Sequence, residues 1–446
     1  MFEILADKVY RHMFAAQVIA LTGTGLLTVA LGLLAYDLAG ADAGMVLGTA
    51  LAIKMIAYVG VAPIVGAFAN RLPRRAFLVS MDVVRAAIAA MLPFVDQVWQ
   101  IYVLIFVLQA ASAGFTPTFQ ATIPDVLPEE SRYTRALSLS RIAYDLESLL
   151  SPVLAAALLG VMGFHWLFAG TFIGFTASAA LVLSVRLPET RPVARTGGIY
   201  DKITHGLRIY LKTPRLRGLL ALNLSVAAAG AMVIVNTVVI VRVLLQRSDE
   251  DVALALAAFG GGSMIAALLL PKLLDRLPDR AVMLCAAGGL AAVLAWAAGL
   301  TSGRPVDGRA WWGLLAAWFA LGLCYSAVMT PPGRLLRRSA ASGDRPAVFA
   351  AQFALSHACW LATYPLAGWL GPAAGIPVTF LTMSGLSVLG AAGAFLMWPA
   401  ADPTGIVHDH PDLPADHPHL ADASGGRHMH DFVIDDLHRR WPPVRP

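Results

Sequence analysis

The chain has 446 residues, of which 58% are hydrophobic and only 14% are charged, and its mean hydropathy is +0.68. A composition this apolar excludes a string of soluble domains and indicates a protein that spans the membrane. The net charge of +5 reflects the orientation in the membrane described below and does not indicate nucleic-acid binding.

A membrane-spanning helix needs about 20 mostly apolar residues, because hydrocarbon cannot satisfy unpaired backbone polar groups. The sequence contains twelve such stretches and therefore predicts an all-α integral membrane protein. The first six centre on residues 14–38, 45–67, 76–94, 101–115, 137–161 and 166–185. The other six centre on residues 219–241, 252–270, 281–300, 311–329, 349–370 and 378–398.

The chain repeats itself, which divides the twelve predicted helices into two six-helix halves. The segment ANRLPRRAFLV, from Ala69, and the segment LDRLPDRAVML, from Leu274, share Arg, Leu, Pro, Arg and Ala at matching positions. We therefore predict five regions along the chain. They are an N-terminal segment (1–13), an N-terminal half (14–185), a basic linker (186–217), a C-terminal half (218–400) and a tail (401–446).

The distribution of Lys and Arg predicts the orientation, since these residues accumulate on the cytoplasmic side of a membrane. With the N-terminus inside, most of the 33 basic residues fall in cytoplasmic segments. The loops on the other side hold only Arg242, Arg247, Arg304 and Arg309. Both termini are therefore predicted to be cytoplasmic.

Charged residues inside predicted spans are costly, so they mark candidate functional groups. Asp82 and Arg85 stand three residues apart and can pair, either to support a gate or to bind substrate. Arg141 and Asp145 stand four apart on one helical face, as a structural pair or as part of the substrate pathway. Glu147 lies on a different face and is the candidate for proton or cation transport.

Four further polar residues in the spans are candidates for the substrate or proton pathway. Lys54 is either a snorkelling or salt-bridged residue, or it occupies a cation site when that site is empty. His357 and Cys359 are suitable ligands for a borderline metal ion, but their two-residue spacing puts them on different helical faces. His357 either faces the substrate or packs through a hydrogen bond, and Asn236 is a weaker candidate.

The tail is rich in histidine. Seven of the eleven histidines follow residue 400, namely His408, His410, His417, His419, His428, His430 and His438. Imidazoles with a few carboxylates suit Ni²⁺, Co²⁺, Zn²⁺ or Cu²⁺, so the tail is a candidate metal-binding segment. Its prolines and glycines predict a flexible, solvated chain. The alternative is a polar tail whose histidines are incidental.

The segment GAFANRLPRR, from Gly66 to Arg75, follows the second span and resembles the signature loop of the major facilitator superfamily. That loop has a Gly, an acid–Arg pair and paired basic residues, although Asn70 stands where the family usually has Asp. The resemblance implies two parallel halves with a midplane site between them and no enzyme activity. The gating-loop candidates are Gly66, Asn70, Arg71, Arg74 and Arg75, with Asp82 and Arg85 nearby and Asp275 and Arg276 in the repeated loop.

Within this superfamily, a twelve-span body with a His-rich C-terminus resembles the bacterial nickel-resistance exporters, which are related to the branch that exports enterobactin. The resemblance implies proton-driven export of Ni²⁺ across the bacterial inner membrane, whereas ligand chemistry alone also admits Co²⁺, Zn²⁺ or Cu²⁺. The metal ion is then the substrate and no cofactor is expected. Two alternatives stay open: a drug or siderophore exporter with an incidental tail, and a transport-inactive metal sensor. The oligomeric state stays open too, and a monomer is compatible with the sequence.

Overall fold

The computed structural model describes residues 2–39, 43–68, 72–188, 199–302, 309–402, 405–409, 427–435 and 437–442. Within these ranges the chain forms fourteen α-helices and one two-stranded sheet. The N-terminal half contains α1 (Lys8–Ala39), α2 (Ala43–Phe68), α3 (Arg74–Met91), α4 (Val98–Val126), α5 (Glu130–Leu159) and α6 (His165–Leu183).

The linker helix α7 (Ile199–Lys212) leads into the C-terminal half. That half contains α8 (Pro214–Val238), α9 (Asp249–Leu274), α10 (Asp279–Ser302), α11 (Arg309–Met329), α12 (Pro332–Arg338), α13 (Arg345–Ala374) and α14 (Ile376–Met397). The tail contributes β1 (Gly405–Asp409) and β2 (Arg427–Asp431). A 3₁₀ turn at Leu92–Phe94 extends α3, and a π-helical turn at Val239–Leu244 extends α8.

Each of the twelve predicted spans coincides with one long helix, so the predicted all-α membrane architecture is confirmed. The fourth predicted span stops too early, at residue 115, whereas α4 continues to Val126. Pro117 and Pro124 lie inside this helix. Neighbouring helices and side chains satisfy the backbone groups that such prolines free in membrane proteins, so the prolines do not end α4.

Ten helical segments of the described ranges are long and apolar enough to cross a membrane. The 30-residue helices α5 and α13 are long enough but are not among the ten. In α13, Gln352 and His357 lower the hydropathy, and α5 carries the polar side chains of Arg141, Asp145 and Glu147. Both helices pack against the opposite half, where polar groups are shielded from lipid.

The two halves have the same packing pattern. In the N-terminal half, α1 packs on α5 and α6, α3 packs on α4 and α6, and α2 packs on α4. In the C-terminal half, α8 packs on α13 and α14, α10 packs on α11 and α14, and α9 packs on α11. The two sets correspond helix by helix, and the loops that carry the repeated sequence occupy equivalent places between α2 and α3 and between α9 and α10.

The halves meet mainly along two helix pairs, α2 with α13 and α5 with α9, and α13 also contacts α4. The first pair is close at Gly66, where an added Cβ atom would lie 2.4 Å from the Cβ atom of Ala350. The linker helix α7 packs on both α2 and α13. It comes close at Gly206, where an added Cβ atom would lie 2.2 Å from the carbonyl oxygen of Ala347.

The described part of the tail differs from the flexible chain that the sequence predicts. β1 and β2 pair antiparallel, with Gly405 opposite Asp431 and His408 opposite His428. Phe432 and Ile434, which follow β2, are buried in the core of the C-terminal half. These apolar side chains hold the hairpin against the body, and polar composition alone does not reveal them.

Candidate functional site: polar residues between the two halves

Arg141 and Asp145 of α5 form the predicted ion pair, and the opposite half completes it. The hydroxyl of Ser263, on α9, donates to Asp145 Oδ2 at 2.6 Å, and Arg141 Nε donates to Ser263 Oγ at 3.3 Å. The Arg141 guanidinium also lies over the ring of Tyr325, on α11, 5.0 Å from its centroid. The pair therefore joins the halves as well as neutralising two buried charges.

Glu147 points away from that pair, as its sequence position predicts. It packs against α1 at Gly25, where an added Cβ atom would lie 2.8 Å from Glu147 Oε1 and 2.2 Å from Ser151 Cβ. Glu147 also interacts electrostatically with Lys54 of α2. The ammonium of Lys54 lies over the ring of Tyr58, 5.6 Å from its centroid.

His357 of α13 faces the N-terminal half. Its ring lies 4.7 Å from the Tyr58 ring and 4.2 Å from the Phe353 ring, measured between centroids. Its Nδ1 atom is 2.7 Å from the carbonyl oxygen of Phe353, to which it donates if protonated. Lys54 acts electrostatically on His357 as well as on Glu147. Lys54 is thus close enough to interact with an acidic group of its own half and with an imidazole of the other.

Cys359 and Asn236 do not join this group. Cys359 lies near Tyr210 of the linker helix, away from His357. Asn236 is buried, and its Nδ2 atom donates to the carbonyl oxygen of Ala367 at 3.2 Å, which ties α8 to α13. We therefore place Asn236 among the packing contacts of the C-terminal half.

Two clusters of charges join the halves at the end of the molecule that carries the linker, which we call the basic end. In the Asp125 cluster, Arg74 donates to Asp125 Oδ2 at 2.5 Å, and Arg345 of the opposite half pairs with Asp125 Oδ1. In the Asp279 cluster, Arg334 lies 3.2 Å from Asp279 and 2.8 Å from Glu130 of the opposite half. Arg338 also reaches Asp279, at 3.4 Å.

The other gating candidates lie elsewhere. Asp82 and Arg85 pair inside the N-terminal half, where Ser178 donates to Asp82 at 2.8 Å and Phe115 and Phe175 flank the guanidinium. Their described contacts therefore stabilise α3 against α4 and α6, and do not join the halves. Arg75, Asp275 and Arg276 are exposed. Asn70 and Arg71 lie outside the described residues.

Sequence reasoning missed Asp125, Glu130, Asp279, Arg334 and Arg345. One signal could have found part of this set: Asp279 occupies the position in the second repeated segment that Arg74 occupies in the first. The acidic residue of the repeated loop that forms ion pairs is therefore the buried Asp279. The predicted gating residue Asp275 is exposed instead. The remaining members lie between the predicted spans, where neither hydropathy nor spacing distinguishes them from other surface charges.

Three tail histidines come together. One side-chain nitrogen from each of His408, His430 and His438 lies within 4.8 Å of the others, and this is the one group of three such ligands among the described residues. His410, His417 and His419 lie outside the described residues, and so does the side chain of His428. Three of the seven tail histidines predicted to bind metal therefore lie close enough together to share one ion.

Asp435 orients one of these rings. Its Oδ1 atom accepts hydrogen bonds from the backbone N–H groups of Leu437 and His438 and lies 2.8 Å from His438 Nδ1. Burial alone would raise the pKa of Asp435, but these hydrogen bonds and the charge of His438 lower it below its ordinary value. Asp435 therefore orients the His438 ring through its Nδ1 atom.

Two similar six-helix halves, with ionisable groups at their interface, define a membrane transporter fold. The sequence model of the Major Facilitator Superfamily matches residues 13–245 and 220–419. The chain therefore belongs to the Major Facilitator Superfamily, whose members are transporters and not enzymes.

The protein is similar to macrolide efflux protein A of Streptococcus pyogenes, with 25% identity over 182 residues. This match covers 40% of the present chain and 44% of the relative, so the chain matches less than half of that protein's length. Two solved structures share the fold. In each comparison, the match covers 87% of the present chain and 99% of the other chain. The first is the human organic anion transporter MFSD10, with 16% identity and a TM-score of 0.71. The second is a bacterial homologue of the iron transporter ferroportin in an outward-facing state, with 12% identity and a TM-score of 0.72.

Proposed function

We propose that the protein is a secondary active exporter of divalent transition-metal ions, nickel foremost, and that proton entry drives it. The observation that carries this proposal is the cluster of His408, His430 and His438 on a tail docked against the transporter body. Three imidazoles favour the borderline ions Ni²⁺, Co²⁺, Zn²⁺ and Cu²⁺ over Mg²⁺ or Ca²⁺. Nickel is chosen among them because the body and His-rich tail resemble the nickel-resistance exporters.

The proposed pathway passes between the halves at Glu147, Lys54 and His357. Glu147 and His357 supply donors of the kinds that borderline metals accept, and Lys54 neutralises the carboxylate when no metal is present. A metal ion and the Lys54 ammonium then compete for the same carboxylate. A proton that binds Glu147 removes that attraction and releases the metal, which couples the two fluxes in opposite directions.

The charge clusters at the basic end support alternating access between the two sides of the membrane. The Asp125 and Asp279 clusters close this end, which the Lys and Arg distribution predicts to be cytoplasmic. A transporter closed towards the cytoplasm is in the state in which it exchanges substrate with the other side. Breaking these clusters would then open the path to metal ions arriving from the cytoplasm.

A second candidate is export of an amphipathic organic compound. Two observations favour it: aromatic rings line the inter-half region, at Tyr58, Phe353 and Tyr325, and one relative is named as a macrolide efflux protein. Among the described residues, the ligand groups near His357 also include no set of three that could hold an ion in this conformation. This candidate makes the tail incidental to transport.

Everted membrane vesicles test the two candidates together. Vesicles that contain the full chain, with an acidic interior, should accumulate Ni²⁺, and Glu147→Gln should abolish that accumulation. Glu129→Gln is the matched control, because Glu129 is an exposed glutamate in the connection between α4 and α5. Co²⁺, Zn²⁺, Cu²⁺ and a macrolide are supplied in parallel. Uptake of the macrolide without uptake of any metal would reject the metal proposal in favour of the second candidate.

A further inference from the structure

Two structural features bring the three tail histidines together: the register of the hairpin and a turn that follows β2. His430 of β2 lies diagonally opposite His408 of β1, because His408 pairs with His428 and side chains two residues apart share a face of the hairpin. His438 comes from the chain after β2, where Asp435 accepts the backbone N–H of His438 at 2.6 Å and fixes a tight turn. The cluster therefore depends on the hairpin register and on this turn together.

All three rings are oriented in the same way. Each Nδ1 atom lies 2.8 Å from an oxygen: the carbonyl of Ile406 for His408, the carbonyl of Asp431 for His430, and Oδ1 of Asp435 for His438. In the neutral ring, these partners favour the tautomer with the proton on Nδ1. The Nε2 atoms then carry the lone pairs that bind a metal, and such oxygen partners are characteristic of metal-ligating histidines.

The distance between two of these nitrogens points to a cation. His408 Nε2 and His438 Nε2 are 3.0 Å apart. Two lone pairs at this distance repel one another unless a proton or a metal ion lies between them, and 3.0 Å is also hydrogen-bond distance when one of the two rings is protonated. Imidazole nitrogens that bind one ion at roughly 2.1 Å stand about 3.0 to 3.4 Å apart, so the spacing is that of two ligands of one metal.

The cluster is attached to the transporter body. Its buried member, His438, makes an edge-on contact with Phe432, whose ring contacts Trp441, 5.1 Å away between centroids. Trp441 lies under the guanidinium of Arg215, at the start of α8, and Lys212 at the end of α7 donates to the carbonyl of Arg439 at 3.0 Å. The histidines are thus connected to the junction between the linker helix and the C-terminal half.

We infer that His408, His430 and His438 form a three-imidazole site for a borderline divalent metal ion, and that the bound ion clamps the tail onto the junction of α7 and α8. The ion binds the docked arrangement, because only the docked hairpin brings the three rings together. Binding therefore stabilises docking by linkage. That the ion is also the transported one rests on the proposed function, whereas the site and the clamp do not.

The first experiment measures Ni²⁺ binding by calorimetry, with NiCl₂ added to the purified full chain in detergent. The background carries His410→Ala, His417→Ala, His419→Ala and His428→Ala, which separates the three-histidine site from the rest of the tail. One Ni²⁺ should bind per chain when Glu147→Gln is added to this background, because that change removes the proposed transport site. Its affinity should fall at least about tenfold in His438→Ala and in Asp435→Asn, which removes the ring's orienting partner. His12→Ala, near the N-terminus, is the matched control and should leave the affinity unchanged.

The second experiment measures the clamp by hydrogen exchange of residues 427–442. Saturating Ni²⁺ should slow amide exchange in this segment in the background chain, and should leave it unchanged in His438→Ala. Equal affinity in the background chain and in His408→Ala and His438→Ala would overturn the site. Binding without slower exchange would overturn the clamp. Both measurements are repeated in Glu147→Gln, where the proposed transport is absent, so that a failure of the export proposal does not affect this result.

Discussion

The two halves of the protein pack alike but carry different chemistry. At the interface, the helices of the N-terminal half carry charged residues, including Lys54, Arg141, Asp145 and Glu147. The C-terminal half contributes neutral partners at the same interface, Ser263 and Tyr325, together with His357. It also holds the docked tail with its histidine cluster. An internal repeat therefore conserves helix packing while each half takes a different chemical role.

The same contrast appears at the basic end. Arg74 of the N-terminal half and Asp279 of the C-terminal half occupy equivalent positions but have opposite charges. Each pairs with an oppositely charged residue of its own half, Asp125 or Arg338, and each cluster recruits one charge from the other half. The two equivalent positions therefore belong to separate clusters, and each cluster spans the interface between the halves.

The largest effect is expected at the pair that the halves share. Asp145→Ala leaves the Arg141 guanidinium buried without its counter-charge, which destabilises the protein by about 3–5 kcal/mol. The measurement is thermal unfolding of the purified protein in detergent. Asp251→Ala is the control, because Asp251 also pairs with an arginine four residues away but lies at a helix end facing solvent. Equal losses in the two variants would contradict a special role for the inter-half pair.

Replacing both charged residues of the pair tests whether the unpaired charge causes that loss of stability. Arg141→Met with Asp145→Leu removes the buried charges together, and we expect most of the lost stability to return. Export should stay impaired, since Ser263 then has no charged partner across the interface. A double variant as unstable as Asp145→Ala alone would show that packing around α5, and not the unpaired charge, sets the stability.

The gating clusters should give the next largest effect. Asp125→Asn weakens the bridge between Arg74 and Arg345, so the basic end should open more often. The measurement is maleimide labelling of Ala350→Cys, close to Gly66, in a chain whose three native cysteines are replaced by serine. Labelling should rise several-fold in everted vesicles. Asp96→Asn, in the exposed connection between α3 and α4, should leave it unchanged, and equal labelling in both variants would reject the gate.

A smaller effect is expected on the N-terminal side of the pathway. Gly25→Ala places a methyl group against Glu147 and Ser151, and such overpacking typically costs about 1–3 kcal/mol. Export should fall because Glu147 is displaced from Lys54. Gly32→Ala, on the same helix, is the matched control, since an added Cβ atom there meets nothing within 4 Å. Transport assays and thermal unfolding of the two variants together separate displacement of Glu147 from a general loss of stability.

The smallest effect on transport is expected from the tail. A chain cut after Ala401 should keep the twelve-helix body and its maximal rate of Ni²⁺ export, because the proposed pathway lies in the body. Export should weaken only at low Ni²⁺ concentration, where the three-histidine site is partly occupied in the full chain. Concentration-dependent uptake into everted vesicles measures this difference. A lost maximal rate would place the tail within the transport pathway.

The sequence alone determined the features that depend on local composition. Twelve apolar runs define the spans, because each helix must meet the requirements of hydrocarbon along its own length. Repeated segments define the halves, and the spacing of Arg141 and Asp145 defines their pair within one helix. The signature loop from Gly66 to Arg75 was enough to indicate the superfamily.

Only the tertiary structure decided which distant residues meet. Ser263 completes the Arg141–Asp145 pair, Arg345 reaches Asp125, and His357 faces Tyr58, and in each case the partners belong to different halves. The tail shows the same dependence, since hairpin register and the burial of Phe432 select three histidines out of seven. Hydropathy and spacing act within a helix, whereas these contacts are set by how two helical bundles and a docked hairpin pack against one another.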